Sequence, residues 1–427
     1  MNILVVGGAG AMGGWFVEFF REKGWSVDVS DPDADENVPL EDADEYDAVV
    51  VAVPIEATSS VIDEVASHMT DGLLMDVTSV KEEPVEAMRA APEDVEILGT
   101  HPMFGPSVRS MRGQTVIVVR ERAGPLAERV IETFHDAGAN VQEATAREHD
   151  EMMSVVQGLT HYSLISIGGA LERLDFDVDD SRRFMSPVYE ITLDFVGRVL
   201  NQNPELYADI QMNQPVGDVH DALIETAEEL ADAVERGDSD AFEDVMLDSA
   251  RHYGDTKSAL RRSDKLIEAN VREYEELHAS VGEERVLRHV YSGNVHAGVV
   301  HDVEGRTVVL EKEDGGDAST VRLKTENVEL LSDTEAREWK VENLRRRKRD
   351  VSVAFPAELD EDVLTRVVKN CHDDILSATV VDVYEGDAIP GGWTSYTVRL
   401  EVLDDGKVNE AVETTHETLE GMGGEIR

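Results

Sequence analysis

MNILVVGGAGAMGGWFVEFF, residues 1–20, opens the chain and decides its fold. Ile3, Leu4, Val5 and Val6 form a short unbroken apolar run, the pattern of a strand covered on both faces. Gly8, Gly10 and Gly13 follow in G-x-G-x-x-G register. Glycines so spaced allow a tight turn, close approach of the backbone to a pyrophosphate, and close packing of helix on strand. A helix is expected from about Ala11, with first-turn N–H groups available to an anion at Ala11, Met12 and Gly13. Trp15, Phe16, Phe19 and Phe20 give it an apolar face, and Gly24 ends it. Trp25–Ser30 reads as a second strand with Asp31 at its tip.

Asp31 stands about 20 residues beyond the glycines, where an acid hydrogen-bonds the adenosine ribose. In a chain with 90 acidic residues an Asp there also occurs by chance. No Arg or Lys follows it in DPDADE, so a 2′-phosphate would meet only negative charge. The stretch therefore predicts a dinucleotide site for NAD rather than NADP. Val53 and Pro54, closing the apolar run YDAVVVAVP, join Gly8, Gly10, Ala11, Met12, Gly13 and Asp31 as candidate cofactor contacts.

The net charge is −51 over 427 residues. Acid is spread along the whole chain over intact apolar periodicity, so it is not a disordered tail. Such charge self-repels in dilute buffer. At molar salt the Debye length is about 3 Å, which screens that repulsion. The composition thus reads as halophilic, suited to a salt-rich cytoplasm. A field this negative argues against nucleic acid as partner. No run of 18 apolar residues and no leader pattern is present, so a soluble cytoplasmic protein with no membrane partner is expected. One cysteine, Cys371, excludes an intramolecular disulfide framework.

Strands at Tyr46–Pro54, Leu73–Val77, Val95–Gly99, Thr115–Val119 and near Val141 alternate with helices at Ala57–Met69 and Pro125–Ala137. This order predicts an α/β Rossmann domain over 1–147 with a mostly parallel sheet. Ligands then bind beyond the carboxyl ends of the strands. Ser79 and His101 both fall there, His101 in a short loop after its strand. Residues 148–282 read as an all-helical substrate and dimerisation domain, with breaks at Leu174–Asp180, Asn201–Pro204 and Arg236–Ser239. Residues 283–335 read as a small β module. Residues 340–427 read as a βαββαβ ferredoxin-like domain, its first strand at Asp350–Phe355 after the basic run Arg345–Arg349.

From residue type alone several candidates stay open. His101 could be a turn residue or a base titrating near neutrality. Arg198 lies with Ile191 and Phe195 on one helical stripe, and could pair with Asp194 or serve as a buried anion clamp. Ser154, Gln157 and His161 share a helix face, as a polar seam or a pocket wall. His149 and Asp150 begin that helix. As metal ligands with Glu151 and His161 they fail, because residues 149 and 161 lie about 120° apart around a regular helix. No metal is expected.

Residues 1–280 resemble prephenate dehydrogenase. The likeness is carried by the glycine stretch, DVTSVKEEP (76–84), GTHPMFGPSVRSMRG (99–113), EHDEMMSVVQGLTHY (148–162) and SPVYEITLDFVGRVLNQNPELYADI (186–210). No chorismate mutase segment precedes the glycines, unlike some bifunctional relatives. The resemblance implies NAD-dependent oxidative decarboxylation of prephenate to 4-hydroxyphenylpyruvate in tyrosine biosynthesis. It implies catalytic roles for His101, as proton acceptor, and Ser79, beside it. It implies substrate contacts from Arg198, gripping the ring carboxylate, and from His161, with Gln157 one turn away. It also implies a homodimer through the helical domain. Arogenate, which carries an amino group where prephenate has a ketone, is the alternative substrate.

Residues 340–427 resemble the ferredoxin-fold anticodon-binding domain of phenylalanyl-tRNA synthetase, through VVDVYEG (380–386), TVRL (397–400), Val408–Ala411 and Gly424–Arg427. A regulatory amino-acid-binding domain shares that order, with phenylalanine or tyrosine as candidate effectors. An RNA-binding or amino-acid-sensing role dominated by this domain is a second reading from another class. The acidity of the whole chain favours assembly or regulation over RNA.

Overall fold

The computed structural model describes residues 1–212, 216–314, 317–386 and 389–427. The chain forms two compact units, Met1–Thr256 and Lys257–Arg427. Among the described residues no helix is long and apolar enough to cross a membrane.

The first unit begins with β1 (Asn2–Val6), α1 (Ala11–Glu22), β2 (Ser26–Ser30), β3 (Ala48–Val51), α2 (Ile55–His68), β4 (Gly72–Asp76) and α3 (Glu82–Met88). It continues through β5 (Val95–Pro102), β6 (Thr115–Arg122), α4 (Pro125–Asp136) and β7 (Asn140–Glu143). The seven strands form one sheet in the order β2-β1-β3-β4-β5-β6-β7. All neighbours are parallel except β5 and β6. The opening apolar run explains itself here. Ile3 and Val5 pack with Phe16, Phe20 and Phe134 on one face, while Leu4 and Val6 pack with Ile62, Val65 and Met88 on the other. Each such side chain contributes up to about 1.5–3 kcal/mol by burial. Trp15 Nε1 donates to Val108 O at 2.7 Å and its ring meets Phe104 edge-on, which ties the loop after β5 to α1.

His101 lies within β5, paired with Ile117 of β6, not in a loop after the strand as its sequence suggested. The apolar pattern stops at Gly99, but the antiparallel partner keeps the backbone extended through Pro102.

The helices α5 (Ala146–Met153), α6 (Thr160–Arg173), α7 (Val178–Ser181), α8 (Pro187–Leu200), α9 (Pro204–Met212), α10 (Gly217–Arg236) and α11 (Ser239–Tyr253) follow. A π-helical segment, Ser154–Leu159, joins α5 to α6. Thr145 and Glu148 form a capping box at the start of α5. α8 packs on α6 through Val196 and Leu200, which sit at Gly168.

The second unit holds α12 (Thr256–Ala279), whose Tyr274 and Leu277 pack on a five-stranded antiparallel sheet. Its strands β8 (Glu284–His289), β9 (Val295–Glu304), β10 (Thr307–Asp314), β11 (Asp317–Lys324) and β12 (Val328–Leu330) run in the order β11-β10-β9-β8-β12. After α13 (Asp333–Asn343) come β13 (Arg346–Phe355), α14 (Glu361–Lys369), β14 (Ile375–Tyr384), β15 (Thr394–Leu403), α15 (Val408–Gly421) and β16 (Glu425–Ile426). The order β14-β15-β13-β16, all antiparallel, is that of a ferredoxin-like sheet. The first strand of this sheet begins at Arg346 rather than at Asp350, so it takes in most of the basic run. Arg346–Arg349 lie within β13, with Arg347 on Asp404 at 2.8 Å and Lys348 within 3.6 Å of Glu401.

Candidate functional site

The glycine loop crosses from β1 to α1 where the strand order reverses between β1 and β3, the position at which such sheets hold ligands. The left-handed turn falls on Gly7, at φ +81°, one residue before the expected Gly8. A Cβ on Gly7 would lie 2.5 Å from Ala52 O, and one on Gly13 would lie 2.1 Å from Gly7 O. The loop is therefore pressed against both the next strand and its own helix. Gly8 instead faces Val29 of β2. Gly10 is the N-cap of α1 and no side chain caps that turn, so Ala11 and Met12 open a helix end with amides to offer. Val53 packs against Gly7, and the exposed Pro54 caps α2. Asp31 accepts from Ala9 N at 3.0 Å and Asp33 N at 2.9 Å, which fixes its carboxylate beside the loop. The cradle, the uncapped helix end and the fixed carboxylate fit a dinucleotide.

The carboxyl ends of β4 and β5 lie on the same edge as that of β1, because the intervening strands are parallel. His101 is 2% exposed there. Its Nδ1 lies 2.8 Å from Nε2 of His149 on α5, and Nδ1 of His149 lies 2.6 Å from Oδ1 of Asp150. Asp150 also accepts from the backbone N–H of Lys81 and Glu82, at 2.8 and 2.9 Å, and so caps α3. Gln157 Nε2 lies 3.3 Å from His101 Nε2. Burial, then His149 and Lys81, push the His101 imidazole well below its ordinary pKa. Burial also lowers His149, against a raising hydrogen bond from Asp150.

Lys81 is fully buried. Its Nζ contacts Asp76 Oδ2 and lies 3.1 Å from Thr78 Oγ1. Thr78 closes the loop by donating to Val80 O at 2.8 Å. Ser79, named by sequence as catalytic, is half-buried between them, and its fully engaged neighbours set where it sits.

The π segment carries Ser154 and Gln157, and α6 carries His161 one turn later. Ser154 is buried and turned back on Glu151 O at 2.7 Å. Gln157 Oε1 and His161 Nδ1 are buried with no hydrogen-bond partner among the described residues. Two such atoms on one wall leave hydrogen-bonding capacity that a water or a polar ligand can take up. The His161 ring meets Tyr207 of α9 edge-on at 4.6 Å, and burial lowers its pKa. Arg198 is close enough to lower the Tyr207 phenol, opposing the burial that raises it. Arg198 is thus on the same side as His161, but it is exposed and not on a buried stripe. The buried face of α8 is Leu193, Val196 and Val199, whereas Phe195 is 51% exposed. The helix has two apolar faces, and periodicity alone picked the outer one. Asp194 lies 3.9 Å from Arg182.

A cavity of about 820 Å³ lies among α2, α3 and α5, and neither His101 nor His161 lines it. His149, Asp150, Lys81, Asp76 and Tyr207 were not singled out for these roles by sequence. The adjacent pair His149-Asp150 in EHDEMM is the feature of the sequence that points to the first two.

The model of the prephenate dehydrogenase nucleotide-binding domain matches residues 20–143, and that of the prephenate dehydrogenase dimerization domain matches residues 145–248. A probable arogenate/prephenate dehydrogenase of Methanocaldococcus jannaschii is 34% identical over 447 residues, covering 100% of this chain and 98% of its own. The T-protein of Haemophilus influenzae is 32% identical over 270 residues, covering 62% of this chain and 71% of its own. Among solved structures, prephenate dehydrogenase from A. aeolicus, in complex with hydroxyphenyl propionate and NAD+, aligns with a TM-score of 0.48 at 17% identity. That alignment covers 59% of this chain and 97% of the other.

Proposed function

The chain belongs to the prephenate dehydrogenase family, and from that premise we propose that it oxidises and decarboxylates prephenate with NAD+, giving 4-hydroxyphenylpyruvate for tyrosine synthesis. Gly8, Gly10, Ala11, Met12, Gly13, Val53 and Pro54 would hold the cofactor's pyrophosphate side, and Asp31 its ribose. NAD+, when bound, takes a hydride from C4 of the substrate. His101 Nε2 takes the proton of the C4 hydroxyl as the carbonyl forms. The C1–carboxylate bond then breaks, CO2 leaves, and its electron pair makes the ring aromatic. The ring oxygen finally takes a proton back. Ser79 stands at the adjacent strand end, and Gln157, His161 and Arg198 receive the substrate's polar groups. The observation that carries this reading is the buried His101, directed toward Gln157 at the same sheet edge as the glycine cradle.

Arogenate is the second reading, favoured by the double name of the M. jannaschii relative. Full-length protein with NAD+ and each substrate in turn, followed by NADH absorbance, decides between them. Higher kcat/KM with prephenate supports the proposal, and the reverse order supports arogenate.

Arg198→Gln is expected to raise the substrate KM by about 10- to 100-fold, the cost of losing a charge-assisted contact. The exposure of Arg198 in the single chain places the expectation toward the lower figure. An unchanged KM in steady-state assays would remove Arg198 from the site.

Asp31→Ala is expected to narrow the preference for NAD+ over NADP+, because it removes both a ribose acceptor and the repulsion of a 2′-phosphate. It also frees Ala9 N, so the KM for NAD+ should rise by about tenfold or more. Wild-type protein that prefers NADP+ in paired kcat/KM measurements would overturn the cofactor assignment.

The helical region exposes large apolar side chains, among them Phe184 at 86%, Met152 at 65% and Leu200 at 56%. Surface of this kind supports assembly as a homodimer through that region. We place the enzyme in a salt-rich cytoplasm on its charge, and assign residues 283–427 to assembly or regulation.

A further inference from the structure

We propose that His149 and Asp150 make His101 the near end of a closed proton relay, which stores the substrate's hydroxyl proton on two imidazoles until the ring oxygen takes it back. The proposal rests on His101 as the base and adds a role to two residues that do not touch the substrate.

Donor counting gives the direction. Asp150 accepts the N–H of Lys81 and of Glu82, and as an acceptor it requires Nδ1 of His149 to carry hydrogen. A neutral His149 then has a bare Nε2, which must accept from His101 Nδ1–H at 2.8 Å. That fixes His101 with a bare Nε2, facing the Nε2 amide group of Gln157. The buried carboxylate thus sets the tautomer of a ring two residues along the chain of hydrogen bonds. When His101 Nε2 gains a proton, its Nδ1 proton can pass to His149 Nε2, and the charge lies beside Asp150. No bond other than N–H changes, and no oxidant or reductant is involved.

The relay has no exit. Both oxygens of Asp150 are occupied by backbone amides, and Asp150 and His149 are 3% and 1% exposed. A store suits this reaction better than a drain. The proton removed from the hydroxyl is balanced by the one the ring oxygen later takes, so none need leave the site. The groups facing the pair are Lys81 and Asp76 from the β4 side, Asp150 on α5 and Gln157 on the π segment. Lys81 opposes the added charge and so favours its return. Capping of α3 explains the presence of Asp150, but it does not require a second buried imidazole between it and His101.

Two measurements on the full-length enzyme test the relay. In imidazole ¹⁵N NMR of the protein alone, His101 and His149 should both be protonated at Nδ1 at neutral pH. They should titrate as a coupled pair below the ordinary histidine value of 6.5. His101 protonated at Nε2 would overturn the proposal. His149→Gln keeps an acceptor for His101 Nδ1–H but cannot take a proton. It should lower kcat by about 10- to 100-fold with NAD+ affinity retained, and its acid limb should move. Wild-type kcat and pH profile in that variant would also overturn it. Parallel assay of His101→Asn separates the two ideas. If His101 is needed and His149 is not, only the relay fails. If neither is needed, the base assignment itself fails.

Discussion

His101→Asn is expected to lose about 10²- to 10⁴-fold in kcat, the usual contribution of a positioned base. NAD+ affinity should stay near wild type, because the glycine cradle and Asp31 are built from β1, α1 and β2, whereas His101 belongs to β5. Asparagine can still donate toward His149 Nε2 from roughly the position of Nδ1, so the buried network stays satisfied while the acceptor facing Gln157 is lost. The same environment predicts the pH dependence. Burial, His149 and Lys81 all favour neutral His101, so the acid limb of kcat should lie below 6.5. Stability should follow with a defined sign. His101, His149 and His161 have folded-state values below 6.5. As pH falls through that region the unfolded chain binds protons first, and stability is lost. A near-normal rate for the variant at neutral pH would remove His101 from the mechanism.

Lys81→Met is the second large effect, and it acts on the fold. Lys81 and Asp76 are both fully buried, and the lysine contacts Asp76 Oδ2 and Thr78 Oγ1. Breaking a buried pair by removing one member costs about 3–5 kcal/mol, since it strands the other charge. The loss is expected as a lower denaturant midpoint with an unchanged slope. Replacing both partners, with Asp76→Asn added, should restore much of it. A loss below about 1 kcal/mol in the single variant would show that Asp76 finds another way to be neutralised.

These two residues show where the sequence could and could not be read. Gly13 was legible because its role is steric and local, and helix packing leaves no room for a side chain. The apolar alternation in β1 was legible because a strand covered on both faces needs it. Lys81 was not, because TSVKEEP reads as an ordinary polar loop and nothing in it reveals that Asp76 and Asp150 converge there. His149 and His101 are 48 residues apart, and only the antiparallel β5–β6 pair and the start of α5 bring them together. Strand direction leaves no mark on an apolar pattern. The stripe of Ile191, Phe195 and Arg198 reads from the sequence as a buried face, and the structure buries the opposite one, Leu193, Val196 and Val199. Phe195 and Arg198 face outward, and an outward apolar face has the same period as an inward one.

The π segment between α5 and α6 has a consequence for how this wall could have arisen and how it could be lost. Such a segment amounts to one extra residue threaded into an otherwise regular helix. Each residue of an α-helix turns the chain by about 100°. At twelve residues apart, His149 and His161 would stand about 120° from each other around a regular helix, and absorbing one residue brings them to within about 20°. Drawing the segment between Ser154 and Leu159 into α geometry at unchanged length would swing His161 and everything beyond it by about 100° relative to His149. Deleting one residue there would instead close the helix with both ends in their present register. The facing of His161 is therefore a matter of residue count as much as residue identity.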